Sequence, residues 1–224
     1  MLQKARTRPD LFLLLSLLLI ILVYPVLDHG DIRRVILGVL MFLPVTLAII
    51  RLSEIKSWVW PSVALMVSAV IASIANTFVA NRYLVGAKWG LLTVFFAITV
   101  VGLFSYLKNA RSVKDEHLYT AISIYLLLGM QWFALYSAIN VFFPGAILQN
   151  HAALADRQSE LLYFSLVTLS TIGYGDVVPL YGEVRMLAAL EGVTGVLYVA
   201  ITVALLVSAY KQQGTSGEAP PPAS

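Results

Sequence analysis

Thr171, Ile172, Gly173, Tyr174, Gly175 and Asp176 are the residues whose types and order point most directly to a chemistry. Consecutive peptide carbonyls can face one way only if the backbone alternates in conformation, with some residues at positive φ. Glycine reaches such angles at little steric cost, which gives Gly173 and Gly175 their reason. A strip of aligned carbonyls can replace the water around a dehydrated cation without a fixed negative charge that would trap it. Ile172 and Tyr174 would then point away from the axis into surrounding protein. The Thr171 hydroxyl would add oxygen at the inner mouth, and the Asp176 carboxylate would attract cations at the outer mouth. No nucleophile–base pair and no metal-ligand set accompanies these residues, and the three histidines lie far apart, so the sequence carries no enzymatic constellation.

The string TIGYGD resembles the selectivity filter of the tetrameric potassium channels, of the bacterial six-helix type. The resemblance implies a potassium-selective pore with K+ held at Thr171, Ile172, Gly173, Tyr174 and Gly175, and passive flux. One chain offers one strip, so geometry and resemblance together imply a homotetramer. A glycine-rich turn with this spelling by chance is the bland alternative. The flanks argue against it: a short half-helix before, Pro179 after, then a long apolar helix.

The chain has 224 residues, 59% of them hydrophobic and 12% charged, with a mean hydropathy of +0.85. A soluble domain carries about 25% charged residues, so the composition is that of a membrane protein, with lipids as surroundings. Zero cysteines exclude disulfides, thiolate metal sites and thiol chemistry. The net charge of +3 is small and its basic residues lie between apolar segments, which disfavours nucleic acid as a partner.

A spanning helix needs roughly 20 apolar residues, and six segments qualify: about Leu11 to Val26, Val35 to Ile50, Val59 to Val79, Leu91 to Leu107, Leu118 to Val141 and Val184 to Tyr210. The first follows Lys4, Arg6 and Arg8 as a signal peptide would, but no small-residue cleavage site follows it, so a retained helix is expected. The expected fold is therefore all-α and transmembrane: six spans plus a re-entrant pore helix and filter loop in a tetrameric channel. An outward-facing filter then puts both termini in the cytoplasm of a cell-membrane protein. Nine Lys and Arg fall inside in that orientation and six outside, a modest bias of the expected sign. Trp58, Trp60 and Tyr106 on the inner side and Tyr83 and Trp89 on the outer would be interfacial anchors.

Four units are expected: a four-helix module over 1–107, a cytoplasmic linker over 108–117, a pore domain over 118–210, and a disordered tail over 211–224. The tail is too short for a cytoplasmic ligand-binding domain. Within the pore domain, Pro144 and Gly145 should end the outer helix and 146–158 form an external turret. Ser159 should cap the pore helix, with Glu160 in its first turn. Tyr163 and Phe164 stand where related channels often carry two Trp, which implies a cuff around Tyr174; ordinary packing is the rival. Tyr163 could reach Asp176 through its hydroxyl. Gly192 and Gly195 follow Asp176 by 16 and 19 residues; the second spacing resembles a gating hinge, and close helix packing is the alternative. Val196, Val199, Val203 and Val207 share one helical face, as a dewetting gate or a contact stripe. Glu191, inside the same helix, needs a partner or water, and a structural role behind the filter outranks proton sensing.

Asn76, Gln131, Ser137 and Asn140 read as hydrogen bonds between helices. Asp28, His29 and Asp31 read as a solvated loop rather than a metal or pH site, and Pro44 as a kink. The fourth span lacks the basic series of a voltage sensor: Lys88 stands alone at its outer edge. The roles left to the first module are to stabilise the assembly, sense lipid or bind a partner. A non-selective cation pore, a non-conducting regulatory protein and a transporter subunit are the rivals. The intact Tyr174 and Gly175, and the single unaltered pore loop, argue against them. Val178, two residues past Asp176, offers no aromatic ring to external tetraethylammonium, so weak external block is expected.

Overall fold

The computed structural model describes residues 9–26, 44, 46–49, 56–79, 81–109, 114–149, 152–154 and 158–215. The helices are α1 (Pro9–Val26), α2 (Lys56–Phe78), α3 (Arg82–Lys108), α4 (Asp115–Phe142), α5 (Gln158–Leu169) and α6 (Gly182–Thr215), with short strands β1 (Ile147–Gln149), β2 (Ala152–Ala153) and β3 (Val177–Pro179) between them. Of the described helices, three have the length and apolar content to cross a membrane: α3, α4 and Gly182–Lys211 of α6. Shorter apolar stretches, Pro9–Tyr24 and Trp60–Asn76, lie in α1 and α2. Most of the expected second span, with the Asp28, His29 and Asp31 loop, lies outside the described residues; Pro44 and residues 46–49 are helical.

Local chemistry sets the helix ends. Asn81 caps α3 by accepting the Tyr83 N–H at 2.9 Å. The helix therefore starts nine residues before the expected Leu91 and takes in Lys88, whose Nζ sits 4.4 Å from the Trp89 ring centroid. Trp89 itself is buried against Phe133, so it is a core residue and not an interfacial anchor. At the start of α4, Asp115 and Glu116 occupy the first turn, where acidic side chains complement the helix dipole. His117 Nδ1 accepts the Lys114 N–H at 3.1 Å. Residues 115–117, expected in the linker, thus belong to the helix. Phe142 ends α4, and Gly145 turns the chain at φ 87°. At the far end, α6 runs on to Thr215, past the tail boundary expected at 211, because Lys211 to Thr215 contains no proline.

The core forms along α4. Leu13, Leu17, Ile20 and Tyr24 of α1 are buried, with the Tyr24 ring 5.7 Å edge-on to Phe133. From α3, Trp89 meets Phe133 at 5.2 Å and Tyr106 stacks on His117 at 5.5 Å. Thr120 of α4 donates to the buried Asp10 carboxylate of α1 at 2.9 Å. Two helices from the N-terminal part of the chain, α1 and α3, therefore pack on α4.

The expected turret contains a small sheet in the order β2–β1–β3, antiparallel throughout. Leu148 pairs with Val178, and Gln149 with Val177. The strand that follows Asp176 is thereby tied to the segment leaving α4, reinforced by the Leu180 N–H on the Ala146 carbonyl at 2.8 Å.

Candidate functional site

α5 positions the 171–176 segment through the way it ends. The Thr171 N–H donates to Thr168 O and the Ile172 N–H to Val167 O, both at 3.0 Å. This is the bond pair of a Schellman motif, whose left-handed residue is usually glycine. Here that residue is Thr171, at φ 60°. A β-branched residue in this conformation costs about 1–2 kcal/mol. Gly173 and Gly175 follow at φ 58° and 84°. Alternate residues are thus left-handed, the alternation needed to aim successive carbonyls one way. A Cβ built on Gly173 or Gly175 would meet nothing within 4 Å, so these glycines are there for backbone conformation and not for space.

At the N-terminal end of α5, the helix begins at Gln158, one residue before the expected cap, so Ser159 lies inside the first turn beside Glu160. Gln158 accepts from Ser137 at 2.7 Å, Glu160 from Gln149 at 2.8 Å, and Asn140 donates to Leu154 O at 2.9 Å. The first and third of these bonds hold α5 and the segment before it to α4, and the second ties that segment to α5. Asn76 accepts the Asn81 N–H at 3.2 Å within the turn between α2 and α3.

Tyr163 donates to Asp176 Oδ1 at 3.1 Å, and its ring lies parallel to Tyr174 with centroids 6.4 Å apart. The Asp176 end of the segment is therefore braced by the helix that precedes it. Phe164 is buried and meets Tyr136 of α4 edge-on at 5.0 Å. Within one chain it supports the pore helix from behind, while Tyr163 alone of the two stands beside Tyr174.

Glu191 is fully buried, at 0% exposure. Its Oε2 lies 2.7 Å from the Tyr136 hydroxyl and its Oε1 2.6 Å from the Ser165 hydroxyl. One side chain thus connects α4, α5 and α6 behind the segment. Tyr136 and Ser165 escaped the sequence reading. The available signal was the need of a buried acid for hydroxyl partners, but nothing in the sequence says which hydroxyls face it.

Further along α6, Gly195 makes the tightest approach. A Cβ there would stand 2.0 Å from Leu169 O, on the last residue of α5. At Gly192 the nearest atom would be Thr168 O at 3.6 Å, an ordinary contact. The same Leu169 carbonyl accepts from Tyr125 of α4 at 3.3 Å, and Tyr198 of α6 donates to Ala121 O at 2.6 Å. Of the two readings of Gly195, packing has a direct geometric reason. Thr168, Thr171, Gly192, Val193 and Val196 line one open, concave surface beside the segment. Val199, Val203 and Val207 continue along α6 as half-exposed side chains, while Glu191, Gly195 and Thr202 face inward.

Comparison with known proteins agrees with this geometry. Residues 121–212, from α4 through α6, match a family described as "Ion channel". A 53-residue stretch is 40% identical to a Rhodopseudomonas palustris protein named "Putative potassium channel protein", covering 24% of this chain and 13% of that protein. No solved structure matches the chain. Residues 121–212 are thus similar to an ion-channel family, and three of the described helices are long and apolar enough to cross a membrane.

Proposed function

We propose that the chain is one subunit of a homotetrameric, potassium-selective channel that conducts passively, without intrinsic voltage sensing. The observation that carries this reading is the left-handed alternation at Thr171, Gly173 and Gly175, set directly on the end of a half-helix. Four such strips around an axis would supply rings of carbonyl oxygens, with the Thr171 hydroxyls at the inner end and Asp176 at the outer. A second support is the surface left uncovered in one chain. Ile172, Tyr174, Leu190, Val193, Val196 and Leu197 are all exposed, and apolar exposure next to a functional segment suits contact with further copies. The ion is cargo: K+ would be held at Thr171, Ile172, Gly173, Tyr174 and Gly175 during transit.

In this reading the six expected spans place both termini in the cytoplasm. Gly175→Ala tests the assignment without removing any side-chain contact, because only the backbone angle is affected. Purified protein in liposomes should take up potassium in preference to sodium, and the variant should not. Equal sodium and potassium uptake would favour a non-selective pore, and silence of the native protein a non-conducting role. External tetraethylammonium should block weakly, since Val178 carries no ring; block at low concentration would count against the placement of that residue at the mouth.

A further inference from the structure

Glu191 sits in a hydrogen-bond arrangement that fixes where its proton must be. The Ser165 hydroxyl lies 2.6 Å from Glu191 Oε1 and 2.8 Å from the carbonyl oxygen of Gly129 on α4. A hydroxyl has one proton to donate. If Ser165 gave it to an ionised Glu191, the Ser165 oxygen would face the Gly129 carbonyl lone pair to lone pair at bonding distance. If Glu191 carries its own proton, every contact is used once. Glu191 donates to Ser165, Ser165 donates to Gly129 O, and Tyr136 donates to Glu191 Oε2 at 2.7 Å. The 2.6 Å separation alone suits either state; the Gly129 contact decides between them.

Charge gives a second, independent argument. Tyr136 and Ser165 bond the carboxyl and the Tyr125 hydroxyl lies close enough to interact with its charge, all three being neutral groups, and no lysine, arginine or histidine pairs with it among the described residues. A fully buried carboxylate without a cationic partner is strongly disfavoured in an apolar interior and takes up a proton instead.

We propose that Glu191 is held as the neutral acid, and that the chain Tyr136–Glu191–Ser165–Gly129 is the pin that positions the pore helix behind the filter. Ser165 lies on α5 one residue after Phe164, which packs on Tyr136, and two after Tyr163, which bonds Asp176. A pin at this point ties the pore helix to the outer and inner helices together. Glu191 is a positioning residue here; it does not touch the ion.

The role rests on the channel reading, whereas the protonation state does not, and the test separates them. Infrared difference spectra of the reconstituted protein, native minus Glu191→Gln, should show a protonated-carboxyl C=O band. In Tyr136→Phe the band should persist at higher frequency, because the carbonyl oxygen has lost its donor. Glu191→Gln, which can still accept from Tyr136 and donate to Ser165, should keep selective potassium flux, while Glu191→Leu should lose it. A carboxylate band in place of the acid band overturns the proposal, as does a Glu191→Gln protein that loses selective flux as fully as Glu191→Leu. A native protein that passes no ion would sink the channel reading, and the infrared result would still decide the protonation.

Discussion

In the proposed channel, two requirements would conflict at Thr171. As the left-handed residue that caps α5 it would be better as glycine, and as the proposed inner oxygen ligand it would have to keep its hydroxyl. Strain retained at a functional position is the expected outcome of such a conflict. Thr171→Gly should therefore leave thermal stability unchanged or raise it by about 1 kcal/mol per chain, while potassium flux falls. Unfolding curves paired with liposome uptake check both halves, and a variant that is destabilised but conducts normally would refute this account. The left-handed backbone at Gly173 and Gly175 was legible in the sequence because backbone chemistry writes itself into glycine spacing. The strain at Thr171 was not legible, because a threonine in the left-handed region leaves no compositional trace.

At the scale of elements, α6 is fitted to α5 through glycine. Gly195→Ala would drive a methyl group into the Leu169 carbonyl, so either the helices separate or the pore-helix end shifts, two residues before Thr171. Loss of selective flux together with a weaker assembly is expected, measured by uptake and by size-exclusion chromatography. Gly192→Ala, with 3.6 Å of clearance, should behave as the native protein. A Gly195→Ala protein that behaves as the native one would overturn the packing reading of Gly195. The sequence flagged both glycines by their distance from Asp176, but distance along a helix cannot say which one meets a backbone. The sheet joining the turret to Val177–Pro179 was equally hidden, since strands of two or three residues carry no readable alternation. Glu191 was recognisable as a buried acid in need of partners; Tyr136 and Ser165 became visible only when three helices were brought together.

For the molecule as a whole, α1 and α3 pack along α4, joined near the start of α4 by Asp10 to Thr120 and by the Tyr106 stack on His117. Movement of α1 or α3 would therefore be felt first by α4 of the same chain. Those helices carry little charge to move. Between the ends of α3 the basic residue is Lys88, resting on Trp89. Each charge crossing the field supplies about 2.3 kcal/mol per 100 mV, so conductance should vary with voltage no more steeply than about one elementary charge per subunit allows. Steep activation in planar bilayers would contradict this. The absence of a basic series was plain in the sequence, whereas the packing of α1 and α3 on α4 depends on surfaces that no single helix reveals.

The most direct test of the central claim is the reversal potential of the purified protein in a planar bilayer, with potassium on one side and sodium on the other. The account predicts a potential displaced strongly in the direction set by potassium permeation, and its collapse in Gly175→Ala. A reversal potential near zero in the native protein would contradict it.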